Sequence, residues 1–426
     1  MIVKIKKLVY GGKALGKLED KVCFVPFVLP DEEVEVRIKK EKKSYLECEP
    51  VQIINPSPYR VEPPCKYFGY CGGCDYMHIS YDTQLNLKKE IFMETLERIS
   101  GIKDFHLKEI IPSPKNLHYR NKTQLKIKGK KIGFFKKESN EVINLDYCLL
   151  LKEDISNLIP PLKEILPFFR YKIKEAHFYS SSEGQITAKF IFNIPPKTLP
   201  LSLKHMQTFL DKQLVGYGIY SMQGKIIKRN RFIGSPFAYE TVGSYRFRVS
   251  ADSFFQINRF QIGNLIDAVE KELKEEKAKV IFDLFCGVGT FTIPASKYAD
   301  KVYGVEINPY AVQDANHNRK INNAGNVFFR QTSASEAISF MIKKNPDLVI
   351  VDPPRTGLDK NTVEALGKIQ SLKKIIYISC NPSTLARDAN LLKNKGFKIK
   401  YTKLIDMFPH TYHIESINVF ERLNKS

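Results

Sequence analysis

Over the first fifty residues apolar and polar side chains alternate. Ile2–Leu8, Val22–Val28, Val34–Lys39 and Tyr45–Ile53 are short runs broken by YGGKALGKLED and LPDEE. A period of two reads as strand, and turns at intervals of about 8–12 residues read as a small antiparallel barrel. A proline-rich stretch from Asn55 to Pro64 then reads as linker. From Gln84 to Ile99 the period becomes helical, with Leu85, Leu87, Ile91, Phe92, Leu96 and Ile99 as its apolar positions. This helix has two possible neighbours, and the pattern does not choose between them. Alternation returns at Thr123–Ile127. The last third differs: apolar strands at Val280–Phe285, Lys301–Val305, Asp347–Val351 and Lys374–Ser379 predict a doubly wound α/β sheet. We expect three parts: a small β-barrel in 1–54, an α+β central domain in 59–255, and the α/β domain in 256–426.

Charge changes this picture. The 426 residues carry 67 Lys and Arg against 46 Asp and Glu, a net of +21. Such an excess points to a polyanion, nucleic acid before an acidic membrane. It is uneven, at +2 in residues 1–80, +13 in 81–250 and +6 in 251–426. Ile111–Lys137 holds nine Lys or Arg and no acid, and the alternation around Lys126 and Lys128 puts the basic side chains on one strand face. Tyr119, Phe134 and Phe135 stand among them as candidates for stacking on bases. At 43% hydrophobic the chain is not disordered. No apolar run is long enough for a bilayer, and MIVKIKKLVYGG has no apolar signal core. We expect a soluble cytoplasmic protein without a membrane partner.

Cys65, Cys71 and Cys74 form a C-x5-C-x2-C group rich in glycine. Three thiolates need a fourth ligand, and Cys148 is the first candidate with Cys48 behind it. Four thiolates fit zinc or an iron–sulfur cluster, and spacing alone does not separate the two. All four would be used as ligands, so the centre is expected to be structural.

In the α/β domain, Asp283 lies in a strand that runs into CGVGTF and then a predicted helix, the order that brings such a sheet to a nucleotide. Only Gly287 and Gly289 are present, so the dinucleotide fingerprint is not met. Glu306 ends the next strand, placed to accept two ribose hydroxyls. This pattern fits S-adenosylmethionine, with NAD as the rival. Asp352-Pro353-Pro354-Arg355 and Ser379-Cys380-Asn381-Pro382 follow two further strands, and Glu415 closes DMFPHTYHIE. An aspartate–proline turn alone would fit amino-group methylation of adenine. A thiol and a carboxylate together fit another reaction, because carbon 5 of a pyrimidine is a poor nucleophile. A thiolate adding to carbon 6 activates carbon 5, and a base must later remove the carbon-5 proton. Cys380 and Glu415 suit those roles. His410 and His413 are alternative bases, and Cys286 is an alternative thiol placed in the cofactor turn. A non-catalytic RNA-binding protein would keep the barrel and the charge but has no use for the thiol–carboxylate pair.

The string GGKALGKL…CFVPFVLPDE resembles a TRAM domain, an RNA-binding barrel. YRNKTQLKI, SFFQIN, DLFCGVGTF, DPPRTGL, SCNPSTLARD and DMFPHTYHIESI, together with the cysteines, resemble the RNA (uracil-5-)-methyltransferase family. That resemblance implies S-adenosylmethionine as methyl donor and a 4Fe–4S cluster on Cys65, Cys71, Cys74 and Cys148. It also implies cofactor contacts from Gln256, Phe285, Thr290, Glu306 and Asp352, Cys380 as nucleophile, Glu415 as base, and Phe254 near a flipped uracil. Family members carry an acid near the adenine after the third strand. Here that position is Ser333, an acceptor without charge, and Glu336 substitutes if the loop bends back. Ribosomal RNA of the large subunit is the implied substrate, with the T-loop of transfer RNA as the alternative, and a site complete within one chain implies a monomer.

Overall fold

The computed structural model describes residues 1–169, 172–193, 202–210, 214–224, 226–276 and 278–423. Strands Ile2–Val9, Lys13–Leu18, Lys21–Pro26, Glu33–Glu41 and Tyr45–Asn55 close into a barrel in which the fifth pairs with both the third and the fourth. Alternation does the work here: Val3, Ile5, Val25, Val34 and Leu46 all point inward and are buried. Cys48 is also in this core, its Sγ 2.9 Å from that of Cys23, which removes it from any set with Cys65. The proline-rich segment that follows is not a free linker. Arg60 grips the buried Glu32 with Nε and Nη2 at 2.6 and 2.7 Å, fastening 55–64 back onto the barrel.

The helix spans Tyr81–Ser100 and stops at Gly101, whose φ of 68° gives the left-handed cap. It packs on the helix Pro382–Lys393. One apolar cluster runs from Val3 and Val25 of the barrel, through Ile91, Phe92 and Leu96 of this helix, to Phe282, Val349 and Tyr377 of the large sheet. Barrel and large sheet are thus joined through the helix rather than strung apart.

The central region builds a six-stranded sheet in the order Ile226–Gly234, Leu214–Gln223, Ile186–Phe192, Ile173–Ser180, Lys122–Lys128, Lys131–Gly133. Phe178, Phe190 and Leu125 face the helix Ile159–Ile165 in its core. A hairpin, Phe237–Val242 with Tyr245–Ser250, leads into the last third.

There an eight-stranded Rossmann-like sheet runs in the order Val327–Gln331, Ala299–Glu306, Ala278–Leu284, Leu348–Val351, Lys374–Ser379, Glu415–Arg422, Phe397–Ile405, Leu107–Ile111. Its first five strands are parallel and Glu415–Arg422 is antiparallel to both its neighbours. The sheet is therefore mixed, and its edge strand Leu107–Ile111 comes from the central stretch of the chain. Among the described residues no helix is long and apolar enough to cross a membrane.

Candidate active site

In an open sheet of this kind, ligands bind beyond the carboxyl ends of the parallel strands. Ala278–Leu284 ends in a tight turn in which Phe285, Gly287 and Gly289 take φ values of 65, 54 and 91°. Phe285 holds a conformation costly for a side chain because the turn is braced, with Cys286 N donating to Val305 O at 3.1 Å and Gly289 N to Cys286 O at 2.9 Å. Thr290 is buried just beyond. Glu306, at the end of the neighbouring strand, accepts from Gly287 N at 3.0 Å and Asn308 N at 2.8 Å. Its remaining lone pairs are free for a ligand's hydroxyls. Asp283 accepts from Thr292 Oγ1 at 2.5 Å, and burial pushes its carboxyl up to about 8. Asp352, at the end of Leu348–Val351, accepts from Gln256 Nε2 at 3.1 Å, and burial raises it to about 7.

After Val327–Gln331, Ser333 Oγ accepts from Glu336 N at 3.2 Å while Ser333 N donates to Glu336 Oε2 at 3.1 Å, a reciprocal capping box. Glu336 therefore bends back onto the serine turn, also accepting from Thr332 Oγ1 at 2.9 Å.

Cys380 follows the strand Lys374–Ser379. Because Glu415–Arg422 pairs antiparallel with that strand, Ser379 lies opposite Ser416, and Glu415 begins its strand at the edge where Cys380 ends its own. Glu415 is buried and its carboxyl is held well above the ordinary range, first by burial and then by Asp352, with Arg355 opposing. Cys380 is pushed up to about 12 by burial, then by Glu415 and Asp352, again against Arg355. Cys380, Glu415, Asp352 and Arg355 thus feel one another's charge.

Two further placements shape the site. Asn381 caps the helix Pro382–Lys393, taking Ser383 N at 3.0 Å, and donates to Arg355 O at 3.1 Å. Gly357 closes the Asp352 turn at φ 74°, where a Cβ would meet Asp388 Oδ2 at 2.5 Å. Neither histidine of DMFPHTYHIE stands as an open base. His410 is buried against Gln84 and pushed down to about 4 by burial and Lys88. His413 meets Arg355 Nη2 at 3.2 Å and is pushed down to about 3 by burial and Arg355. Cys286 is buried in the turn next to Gly287. Sequence reasoning assigned neither Arg355, whose charge opposes the upward shift of Cys380, nor Tyr10, whose hydroxyl lies 3.5 Å from Cys380 O. Arg355 had a visible signal, following Asp352-Pro353-Pro354 directly; Tyr10, in a barrel turn, had none.

The sequence profile of the tRNA (Uracil-5-)-methyltransferase family matches residues 80–423. The chain belongs to this family. It is an RNA (uracil-C5-)-methyltransferase, using S-adenosylmethionine to methylate uridine in RNA. Residues 1–51 match the TRAM domain. An uncharacterized RNA methyltransferase of Aquifex aeolicus is 40% identical over 420 residues, covering 98% of this chain and 97% of the relative. One from Caldanaerobacter subterraneus is 34% identical and covers 99% and 98%. Among solved structures, the Pyrococcus abyssi tRNA (uracil-54, C5)-methyltransferase with S-adenosyl-L-homocysteine is 29% identical, covers 99% of this chain and 100% of that one, and has a TM-score of 0.77.

In this methyltransferase Cys65, Cys71, Cys74 and Cys148 line one pocket with Met77, Phe134 and Leu150. Burial pushes Cys71 up to about 11 and Cys74 and Cys148 upward, and nearby thiols add to each shift. Arg120 enters the same pocket, and its buried Nε has no hydrogen-bond partner among the described residues. Among the described residues no three His, Cys, Asp or Glu side chains converge as a single metal ion requires.

The basic stripe differs from its sequence pattern. Lys126 pairs with Glu175 at 2.6 Å, Lys131 with Glu141 at 3.5 Å and Lys137 with Asp75 at 2.7 Å. Lys122 turns inward onto Ser253 O at 2.9 Å and is pushed down to about 8 by burial, then Lys189. Tyr119 is buried with its hydroxyl on Pro409 O at 3.0 Å, so it cannot stack on a base. Strand Lys122–Lys128 lies inside its sheet, so half of its residues face a core. A second cleft gathers Lys115, His118, Lys152 and Arg259 with Glu153 and Asp154 around Phe260; Lys152 pairs with Asp154 at 2.7 Å, while Lys115 and Arg259 lie over the ring at 5.5 and 4.7 Å.

Proposed function

We propose that this methyltransferase modifies the T-loop uridine of transfer RNA through a covalent adduct of Cys380 with uracil carbon 6. The observation that carries the chemistry is the placement of Cys380 and Glu415 at adjoining ends of antiparallel strands, beside Asp352. The cofactor supplies a methyl group on a sulfonium. The Cys380 sulfur adds to carbon 6 after its proton has passed to a neighbouring base, carbon 5 takes the methyl group, and Glu415 removes the carbon-5 proton. Cys380 then leaves, restoring the ring's double bond. A uridine must be extruded to reach this edge, which costs less in a loop than in a duplex. Gln256, Phe285, Thr290, Glu306 and Asp352 hold the cofactor in this reading, and the Ser333–Glu336 turn faces its adenine.

Transfer RNA takes the place of the ribosomal substrate that the motifs imply. Its support is the full-length likeness to the Pyrococcus abyssi tRNA (uracil-54, C5)-methyltransferase. The pocket of four thiols, with Arg120 Nε unpartnered among the described residues, suits an anionic centre larger than one ion. Cys65, Cys71, Cys74 and Cys148 would there hold a 4Fe–4S cluster that ties 65–74 to 148. Cytoplasmic action as a monomer and the division at 1–54, 59–255 and 256–426 belong to the same proposal.

The test offers the purified enzyme labelled cofactor with total transfer RNA and, separately, ribosomal RNA, followed by digestion to nucleosides and mapping. The expected product is 5-methyluridine in transfer RNA, lost with Cys380→Ala while RNA binding persists. Label confined to ribosomal RNA overturns the substrate, and turnover by Cys380→Ala overturns the adduct. Cys65→Ser with Cys71→Ser removes visible absorbance and iron; unchanged spectra with zinc bound overturn the cluster.

A further inference from the structure

We propose that the barrel completes the catalytic pocket, with Tyr10 as a positioning residue for Cys380; this rests on the covalent reading above. Tyr10 lies between Ile2–Val9 and Lys13–Leu18, 370 positions from Cys380, yet its hydroxyl is 3.5 Å from Cys380 O. That distance is the outer limit of a hydrogen bond, so the ring is the main element. Its edge packs on Tyr412 with centroids 5.5 Å apart. Tyr10 also borders a groove formed with Lys7 and Phe24 of the barrel, Arg98 of the helix Tyr81–Ser100, and Ser383, three residues beyond Cys380. It therefore stands where that groove meets the catalytic edge.

The turn bearing Tyr10 is locked. A Cβ on Gly12, at φ 81°, would lie 2.8 Å from Asp75 Oδ1. Asp75 Oδ2 accepts from Tyr412 N at 3.4 Å, and Asp75 N and Tyr76 N both donate to His410 O, at 2.9 and 3.0 Å. Two segments from outside the catalytic sheet, 10–12 and 75–76, therefore clamp 410–412, just ahead of Glu415. Burial and the nearby Tyr412, Cys380 and Glu415 raise the Tyr10 phenol, which keeps it a neutral donor at working pH. A ring fixed this way limits the movement of the Cys380 backbone.

The decisive variants are Tyr10→Ala and Tyr10→Phe in the full-length protein. Tyr10→Ala is expected to lower kcat about 10-fold or more while KM for RNA and cofactor affinity stay within about 2-fold, the mark of a group that orients without binding. Tyr10→Phe keeps the ring and is expected to recover to within about 3-fold of wild type. Tyr10→Leu serves if the alanine variant melts early. A loss confined to KM, or no loss in kcat, overturns the proposal and leaves the barrel as a tether. Adduct formation on RNA containing 5-fluorouridine separates the two readings. If the wild type forms no adduct, the covalent reading falls, and the kcat comparison still decides the role of Tyr10.

Discussion

Replacing Lys88 by methionine tests what holds the segment that delivers Glu415. Lys88 is on the buried face of the helix Tyr81–Ser100, with its side chain 1% exposed, as is that of Asp406. Its Nζ lies 2.6 Å from Asp406 Oδ1 and 2.9 Å from Phe408 O. Tyr81 adds a hydrogen bond to Asp406 Oδ2 at 2.9 Å. Lys88→Met keeps the stem and deletes the charge. Asp406 is then left buried with one neutral donor, and Phe408 O keeps only its bonds from Thr411. Removing one partner of a buried pair costs about 3–5 kcal/mol, a large share of a stability of about 5–15 kcal/mol. Adding Asp406→Asn removes the orphaned charge and keeps an acceptor for Tyr81, so the double variant is expected to recover about 1–3 kcal/mol of the summed single losses. Urea unfolding of the four proteins, followed by circular dichroism, measures the cycle. Cofactor binding by folded Lys88→Met should survive, since Asp283, Glu306 and Asp352 lie on other segments, while methyl transfer falls as 406–415 shifts. A destabilisation below about 1 kcal/mol, or losses that simply add, would refute this account.

Three other outcomes follow from the site. Glu415→Gln should accumulate a protein–RNA adduct that survives denaturing electrophoresis, because the carbon-5 proton is no longer removed; its absence counts against Glu415 as the base. Asp283 is raised to about 8 in the folded chain, so the stability it contributes is complete below about pH 4 and is lost as pH rises toward 8. Asp283→Asn should therefore melt like wild type near pH 4 and above it near pH 8–9, and an equal gap at both ends contradicts the assignment. Lys115→Ala with Arg259→Ala should weaken RNA binding and reduce the slope of log affinity against log salt by about 1.4–1.8. Lys126→Ala with Lys131→Ala, both already paired, should change it less.

The gathering of Asp283, Glu306, Asp352 and Cys380 at one sheet edge was legible because its pattern is local. Asp283, Glu306, Asp352 and Cys380 each end an apolar strand, and a parallel sheet brings such ends together whatever the intervening chain does. The barrel was legible for a similar reason, since its alternation and its turns lie within about fifty residues. Long-range polar contacts were not. Gln84 and Lys88 are buried on the same helix face as Leu85 and Phe92, and periodicity alone assigns such residues to solvent. Their partners, His410 and Asp406, lie more than 300 positions away. The basic stripe fails for a related reason: the acid-free window 111–137 registers Lys126 and Lys137 but not Glu175 and Asp75, which neutralise them from outside it.

These hidden contacts share a direction. Lys88 and Gln84 from the helix, Asp75 and Tyr76 from the cysteine loop, and Tyr10 from the barrel all converge on 406–412 or on the Cys380 turn. The Rossmann-like sheet presents Cys380 and Glu415, but the stretch joining its last two strands, Phe397–Ile405 and Glu415–Arg422, is held from outside that sheet. Cys74 immediately precedes Asp75, so the thiol pocket and the His410 clamp share one short loop. A loop that supplies three of the four thiols and also fixes the segment ahead of Glu415 has little freedom to move in one place alone. Disordering it by thiol replacement should therefore lower methyl transfer while leaving the Asp283–Glu306 turn, the proposed cofactor site, intact, a separation that equilibrium binding of the cofactor to Cys71→Ser makes visible. Loss of cofactor affinity in step with activity would mean instead that the whole sheet depends on the pocket.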